Sequence, residues 1–151
     1  MTKLLLSLHV LAAIVAVGPV TVAASMFPPA ARRAHEDGTG AGTLRLLHRI
    51  CRVYSGIGVA VPALGVATGA AMGVLGDAWL TTSIALTTAA AAVLVAFVLP
   101  RQDELLEELA ERGGVERRNT ARLAMFTGVF NLLWATVTVL MVVRPGSTTG
   151  A

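Results

Sequence analysis

A chain of 151 residues of which only 14% are charged and 55% are hydrophobic falls well below the roughly 25% charge of a soluble domain. Mean hydropathy is +0.72, net charge +3 and pI about 10.0. The basic residues lie in short segments between apolar runs, so the composition excludes a folded nucleic-acid-binding face and points to lipid as the solvent.

Four apolar runs follow one another, at about 4–27, 50–76, 79–100 and 121–143. Each supplies the roughly 20 residues needed to cross about 30 Å of hydrocarbon. With no water to satisfy the backbone, such runs must be helical. The predicted fold is an all-α, integral membrane, up-down four-helix bundle forming a single transmembrane domain over 1–151. A cleaved signal peptide is the rival reading of the first run, with Lys3 before it and Val22-Ala23-Ala24 as its end. The length of the run and the Arg32-Arg33 pair behind it favour a retained span.

Arginine and lysine counts set the orientation. Arg32, Arg33, Arg45, Arg49 and Arg52 surround the 28–49 connection. Arg101, Arg112, Arg117, Arg118 and Arg122 surround 101–120. Only Lys3 and Arg144 lie on the other side. Loops 28–49 and 101–120 are therefore expected to be cytoplasmic and both termini outside. The preference for arginine over lysine, with abundant alanine, suggests a GC-rich bacterium and its inner membrane.

Loop 28–49 opens on Pro28-Pro29 and contains Gly38, Gly40 and Gly42, which predicts a partly flexible connection. Thr43 is placed to cap a helix running into the second span. In 101–120, Leu105, Leu106 and Leu109 share a face, so the third span is expected to continue past Pro100 as a short amphipathic helix ending at Gly113-Gly114. A soluble partner could dock on its acidic side. The tail 145–151 is expected to be disordered.

Lipid tails are as apolar as leucine, so small residues and interhelical hydrogen bonds must hold the spans together. Gly65, Gly69 and Gly73 offer a groove on the second span, to be packed in a hairpin by Ala85, Ala89, Ala92 and Ala96 of the third. Ala124, Gly128, Asn131, Ala135 and Thr138 line a face of the fourth, and His9, Ala12, Ala13 and Ala16 a face of the first. Pro19 and Pro62 free the carbonyls of Val15 and Gly58. Asn131, at a depth similar to Gly58, is expected to donate its amide to that carbonyl. Small faces in excess of what one bundle can bury would favour a homodimer or a larger membrane complex.

Few residues can carry chemistry. No catalytic set, phosphate-binding loop or paired zinc motif is present. An ionisable residue inside a span is a functional candidate, which singles out His9. His48 and Cys51, three apart on one helix face, lie at the depth of Met26 and Met125; these soft ligands sketch a copper site. A second layer of His9, Met72 and Met141 would continue a copper path. The competing reading is that the methionines are apolar filling. The single cysteine, Cys51, excludes an internal disulfide.

Leu8-His9-Val10-Leu11-Ala12-Ala13, closing on Gly18-Pro19, resembles the opening span of small bacterial membrane proteins with an L-H-x-x-A start. Leu140-Met141-Val142-Val143-Arg144-Pro145-Gly146 resembles the fourth-span ending of one such group, known only as predicted integral membrane proteins of unknown function. More distantly similar are the CopD-like copper-resistance domains and the HemJ-type protoporphyrinogen oxidases, whose first-span histidine is associated with haem. That resemblance implies haem b at His9 and reaches no other residue. Where those relatives usually carry Trp and Gly, this chain has Ala16-Val17-Gly18-Pro19, and no second ligand lies at matching depth.

The sequence thus supports three readings. The first is a non-enzymatic accessory or interaction subunit in the bilayer; the others are a haem-binding redox protein and a copper-handling protein.

Overall fold

The computed structural model describes residues 1–146; apart from Pro145 and Gly146, the tail expected to be disordered lies outside the described residues. The described chain is helical throughout: α1 Thr2–Asp37, α2 Ala41–Ile57, α3 Ala60–Met72, α4 Ala78–Val93, a π-helical turn Leu94–Val98, α5 Leu99–Arg112 and α6 Arg117–Val143. α2 with α3, and α4 with the π turn and α5, act as two long rods. With α1 and α6 they make four helices whose length and composition suit a membrane crossing.

α1 is longer than its apolar run. Its 36 residues rise about 54 Å, well beyond a bilayer's hydrocarbon. The helix runs through Pro28-Pro29, where the sequence suggested that a loop opens. Burial explains the difference: Phe27, Pro28, Ala31 and Ala34 are all buried, and Phe27, Ala31 and Ala34 share a core with Leu44 and Leu47 of α2. That packing offsets the hydrogen bonds the prolines remove. The connection to α2 shrinks to Gly38–Gly40, with Gly38 and Gly40 at φ 66° and 93°. These left-handed residues, inexpensive only for glycine, reverse the chain, and Gly40 rather than Thr43 precedes the first turn of α2.

The second rod breaks at Gly58-Val59. Val61 N donates to Gly58 O at 3.1 Å, closing a tight turn on the carbonyl that Pro62 leaves free. Asn131 is therefore not its donor. Instead its Nδ2 donates to Ser25 Oγ on α1 at 3.0 Å, because α6 packs on α1 and not on the break.

α1 is the central helix, flanked by α2 and α3 on one side and α6 on the other, with α4 packed on α6. The main core joins Val20 to Ala34, Leu44 to Cys51, Ala90 to Val98, Leu105, Val115, Leu123 and Phe130. It fills the half of the bundle that carries α5. The other half holds a smaller cluster of Val74, Trp79 and Leu80, with Met72 and Met141 against it.

Three expected packing faces differ in the structure. Gly65, Gly69 and Gly73 do not form one groove for α4. Gly65 faces His9, Gly69 faces Leu80 and Leu75, and Gly73 ends α3 at φ 72°. Ala85, Ala89, Ala92 and Ala96 are exposed, as are Ala124, Ala135 and Thr138 of α6. The bundle buries Ala90, Leu94 and Val98 from the third rod and Leu123, Thr127 and Phe130 from α6.

Candidate functional site

His9 is half-buried on the face of α1 that continues into buried Ala16. Its Nδ1 lies 2.9 Å from the Val61 carbonyl oxygen on α3. A carbonyl only accepts, so Nδ1 carries the hydrogen, which leaves Nε2 as the nitrogen that can offer a lone pair. The imidazole lies over Gly65, where a Cβ would meet His9 Cε1 at 3.0 Å. The glycine is what lets the ring reach the backbone of α3. The break at Gly58-Val59 sets the start of α3, and Val61 is in its first turn.

A second polar group sits where α2 meets α5. His48, Cys51 and Gln102 are buried to 6%, 0% and 0% exposure. His48 Nδ1 lies 2.8 Å from Gln102 Oε1, and Gln102 Nε2 donates to Cys51 Sγ at 3.5 Å. The amide therefore receives from the imidazole and gives to the thiol. His48 Nε2 lies 2.8 Å from Asp103 Oδ1 without an aligned hydrogen bond. The chain of contacts leads from a buried thiol to a carboxylate that is 58% exposed. It ties the two rods together in a place where neither has another polar partner for the other.

The methionines are not gathered around this group. Met26 and Met125 are exposed, at 51% and 56%, while His48 and Cys51 face the core. Met72 and Met141 pack on the Trp79 cluster. Among the described residues, no group of three or more His, Cys, Asp or Glu side chains is placed to hold a metal ion.

Asn131 and Ser25 link α6 to α1, leaving Asn131 Oδ1 buried without a partner; Thr21 Oγ1 and Trp134 Nε1 are also unpartnered. Pro19 lies inside α1, half-buried, and Pro62 is exposed at the start of α3.

Among the described residues, two shallow surface clefts of about 340 Å³ each stand out. One lies between α5 and α6 and is lined by Glu104, Glu107, Glu108, Glu111 and Glu116 among others. Glu108 closes this side of the α5–α6 turn, accepting from Glu116 N at 2.8 Å and Asn119 Nδ2 at 3.3 Å. The other is lined by His48, Arg49, Arg52 and Val53 on α2. His9 lines neither.

Over residues 3–145 the chain matches the family model described as "Predicted integral membrane protein (DUF2269)". The chain belongs to this family. No curated protein and no solved structure shows a significant match. DUF2269 membership agrees with the four long apolar helices and makes this an integral membrane protein.

Gln102, Ser25 and His35 are among the polar residues that the sequence did not single out. Gln102 carried one signal: an amide one turn from Leu105 and Leu106 on the apolar side of an amphipathic helix. Ser25 and His35 carried none, because their partners are 106 and 80 residues away.

Proposed function

We propose that the protein is a non-enzymatic accessory or interaction subunit of the bacterial inner membrane, a single transmembrane domain that packs against a further membrane-embedded chain or a second copy of itself. The observation that carries this reading is the exposed face of Ala85, Ala89, Ala92 and Ala96. These residues stand at i, i+4, i+7 and i+11, one stripe of the third rod. Leucine would serve lipid equally well, whereas small side chains let a second helix approach closely. The excess of arginine around 28–49 and 101–120 supports a cytoplasmic position for those segments, with both termini outside.

Blue-native electrophoresis of mildly solubilised membranes tests this reading. A band well above the monomer is expected, shifting down when Ala89→Leu and Ala92→Leu crowd the stripe. A monomer that both substitutions leave unchanged overturns it.

A second reading, a haem-binding redox protein, is favoured by one contact. Histidines that bind a metal generally donate their other ring N–H to a carbonyl or carboxylate, and His9 gives its Nδ1 hydrogen to Val61 in that manner. His9 Nε2 would be the ligand atom, and haem b would supply one-electron chemistry. His35 and His48 are at the far end of the bundle, so neither could be a second axial ligand to the same haem. An absorption spectrum of the purified protein, oxidised and then reduced, decides between the readings. A Soret band lost in His9→Ala establishes the haem reading; no band in cells supplied with haem precursor removes it.

A further inference from the structure

We propose that the α2 cleft binds one anionic phospholipid, its phosphate held by Arg49 and Arg52 and its first acyl segment lying along Val53 and Ile57. The cleft, about 340 Å³, is lined by His48, Arg49, Arg52 and Val53. It lies where the apolar run of the second rod begins, at the depth of a headgroup. Arg49 and Arg52 are three residues apart, on neighbouring positions of one helix face. Both are exposed, and neither makes an ion pair among the described residues. The carboxylate that approaches this end of α2, Asp103, is directed instead to His48 Nε2 at 2.8 Å. The two guanidinium groups are therefore free for an outside anion.

The neighbouring surface specifies a lipid rather than a soluble anion. Val53 and Ile57 are 51% and 47% exposed and stand one turn apart, continuing from the arginines towards the membrane interior. Between them and slightly to one side, Gly56 has no neighbour within 4 Å of where a Cβ would sit, leaving a notch in the helix surface. Charge at one end and an apolar track at the other match a headgroup and its chain. Guanidinium groups pair with phosphate in a bidentate manner, and basic pockets on transmembrane helices at the membrane boundary take anionic headgroups. The site requires only that the chain be in a bilayer; it stands whichever partner the α4 face has.

Native mass spectrometry of the full chain in detergent, titrated with equal amounts of phosphatidylglycerol and phosphatidylcholine, tests the site. Phosphatidylglycerol adducts are expected to survive at activation energies that strip phosphatidylcholine. The double variant R49Q/R52Q should retain about thirtyfold less phosphatidylglycerol, while R32Q/R33Q, on exposed positions of α1, should retain as much as the wild type. Millimolar inorganic phosphate should leave the adduct in place; its displacement by phosphate alone would show a simple anion site and overturn the lipid assignment. Equal retention of the two lipids, or no loss in R49Q/R52Q, also overturns it. V53W keeps both arginines and fills the apolar part of the cleft. It should weaken retention, and wild-type retention in V53W counts against the proposal even if the double variant does not fold.

Discussion

His9 Nδ1 and the Val61 carbonyl oxygen, 2.9 Å apart across 52 residues of sequence, join α1 to the first turn of α3 in the half of the bundle with the smaller core. Side-chain hydrogen bonds within membranes average somewhat under 1 kcal/mol. His9→Ala should therefore lower stability by about 1 kcal/mol, read from thermal unfolding in detergent. The loss should be confined to this half. Hydrogen exchange should quicken at the start of α3 and stay unchanged at the α5–α6 turn.

Gly65 and Gly128 make a matched pair. A Cβ on Gly65 would press on His9 Cε1 at 3.0 Å, whereas one on Gly128 would meet nothing within 4 Å. Gly65→Ala should displace the ring and reproduce much of the His9→Ala defect. Gly128→Ala should be neutral or stabilising, by up to about 1 kcal/mol from helix propensity. Thermal midpoints of the two variants, measured side by side, check the contrast; equal effects would mean that His9 is not held over Gly65.

Gln102 holds both a buried imidazole and a buried thiol. Gln102→Leu removes the partner of each and should cost about 1–3 kcal/mol. Cys51 provides the readout. It is fully buried and the single cysteine of the chain, so maleimide labelling of the native protein should be slow. Labelling should quicken in Gln102→Leu, and an unchanged rate would show that α5 does not depend on this contact.

Four apolar spans in an all-helical bundle could be read directly, since each run is long enough to cross a bilayer and few other structures are open to it. Which faces meet was less legible. Alanine is as acceptable to lipid as to a neighbouring helix, so Ala85 and Ala89 looked like packing residues and are exposed. His9 was readable because a polar ring among small residues has to find an internal partner. Its acceptor was not, because Val61 offers only backbone. Pro28-Pro29 looked like a helix end, yet Phe27 and Ala31 have enough core around them to carry α1 through. Asn131 was assigned a backbone acceptor from depth alone, but depth does not say which helix is the neighbour. Ser25 is reached only because α6 lies on α1.

His35 at the end of α1 accepts a hydrogen bond from Val115 N at 3.1 Å. The ring passes so near Gly114 that a Cβ there would collide with it. His35→Ala should leave the Val115 amide open to solvent and raise its exchange rate by at least tenfold. Gly114→Ala should do the same by pushing the ring aside. Neither should alter exchange near His9.

The buried stripe of the third rod runs Ala90, Leu94, Val98 and Gln102, each four residues after the last. On a regular α-helix, at about 100° per residue, a strict step of four drifts by about 40° each time. The stripe would wind off the core before reaching Gln102. The π turn at Leu94–Val98, whose wider loop closes onto Leu94 from Leu99, takes up one extra residue and cancels that drift just ahead of Pro100. In terms of chain length, the rod carries a one-residue insertion that the fold has absorbed. Deleting Ala96, an exposed member of the turn, should return the segment to plain α-helix and leave α5 facing the same neighbours. Deleting Ala89, in the regular stretch, should swing everything beyond it by about a quarter turn or more, separating Gln102 from His48.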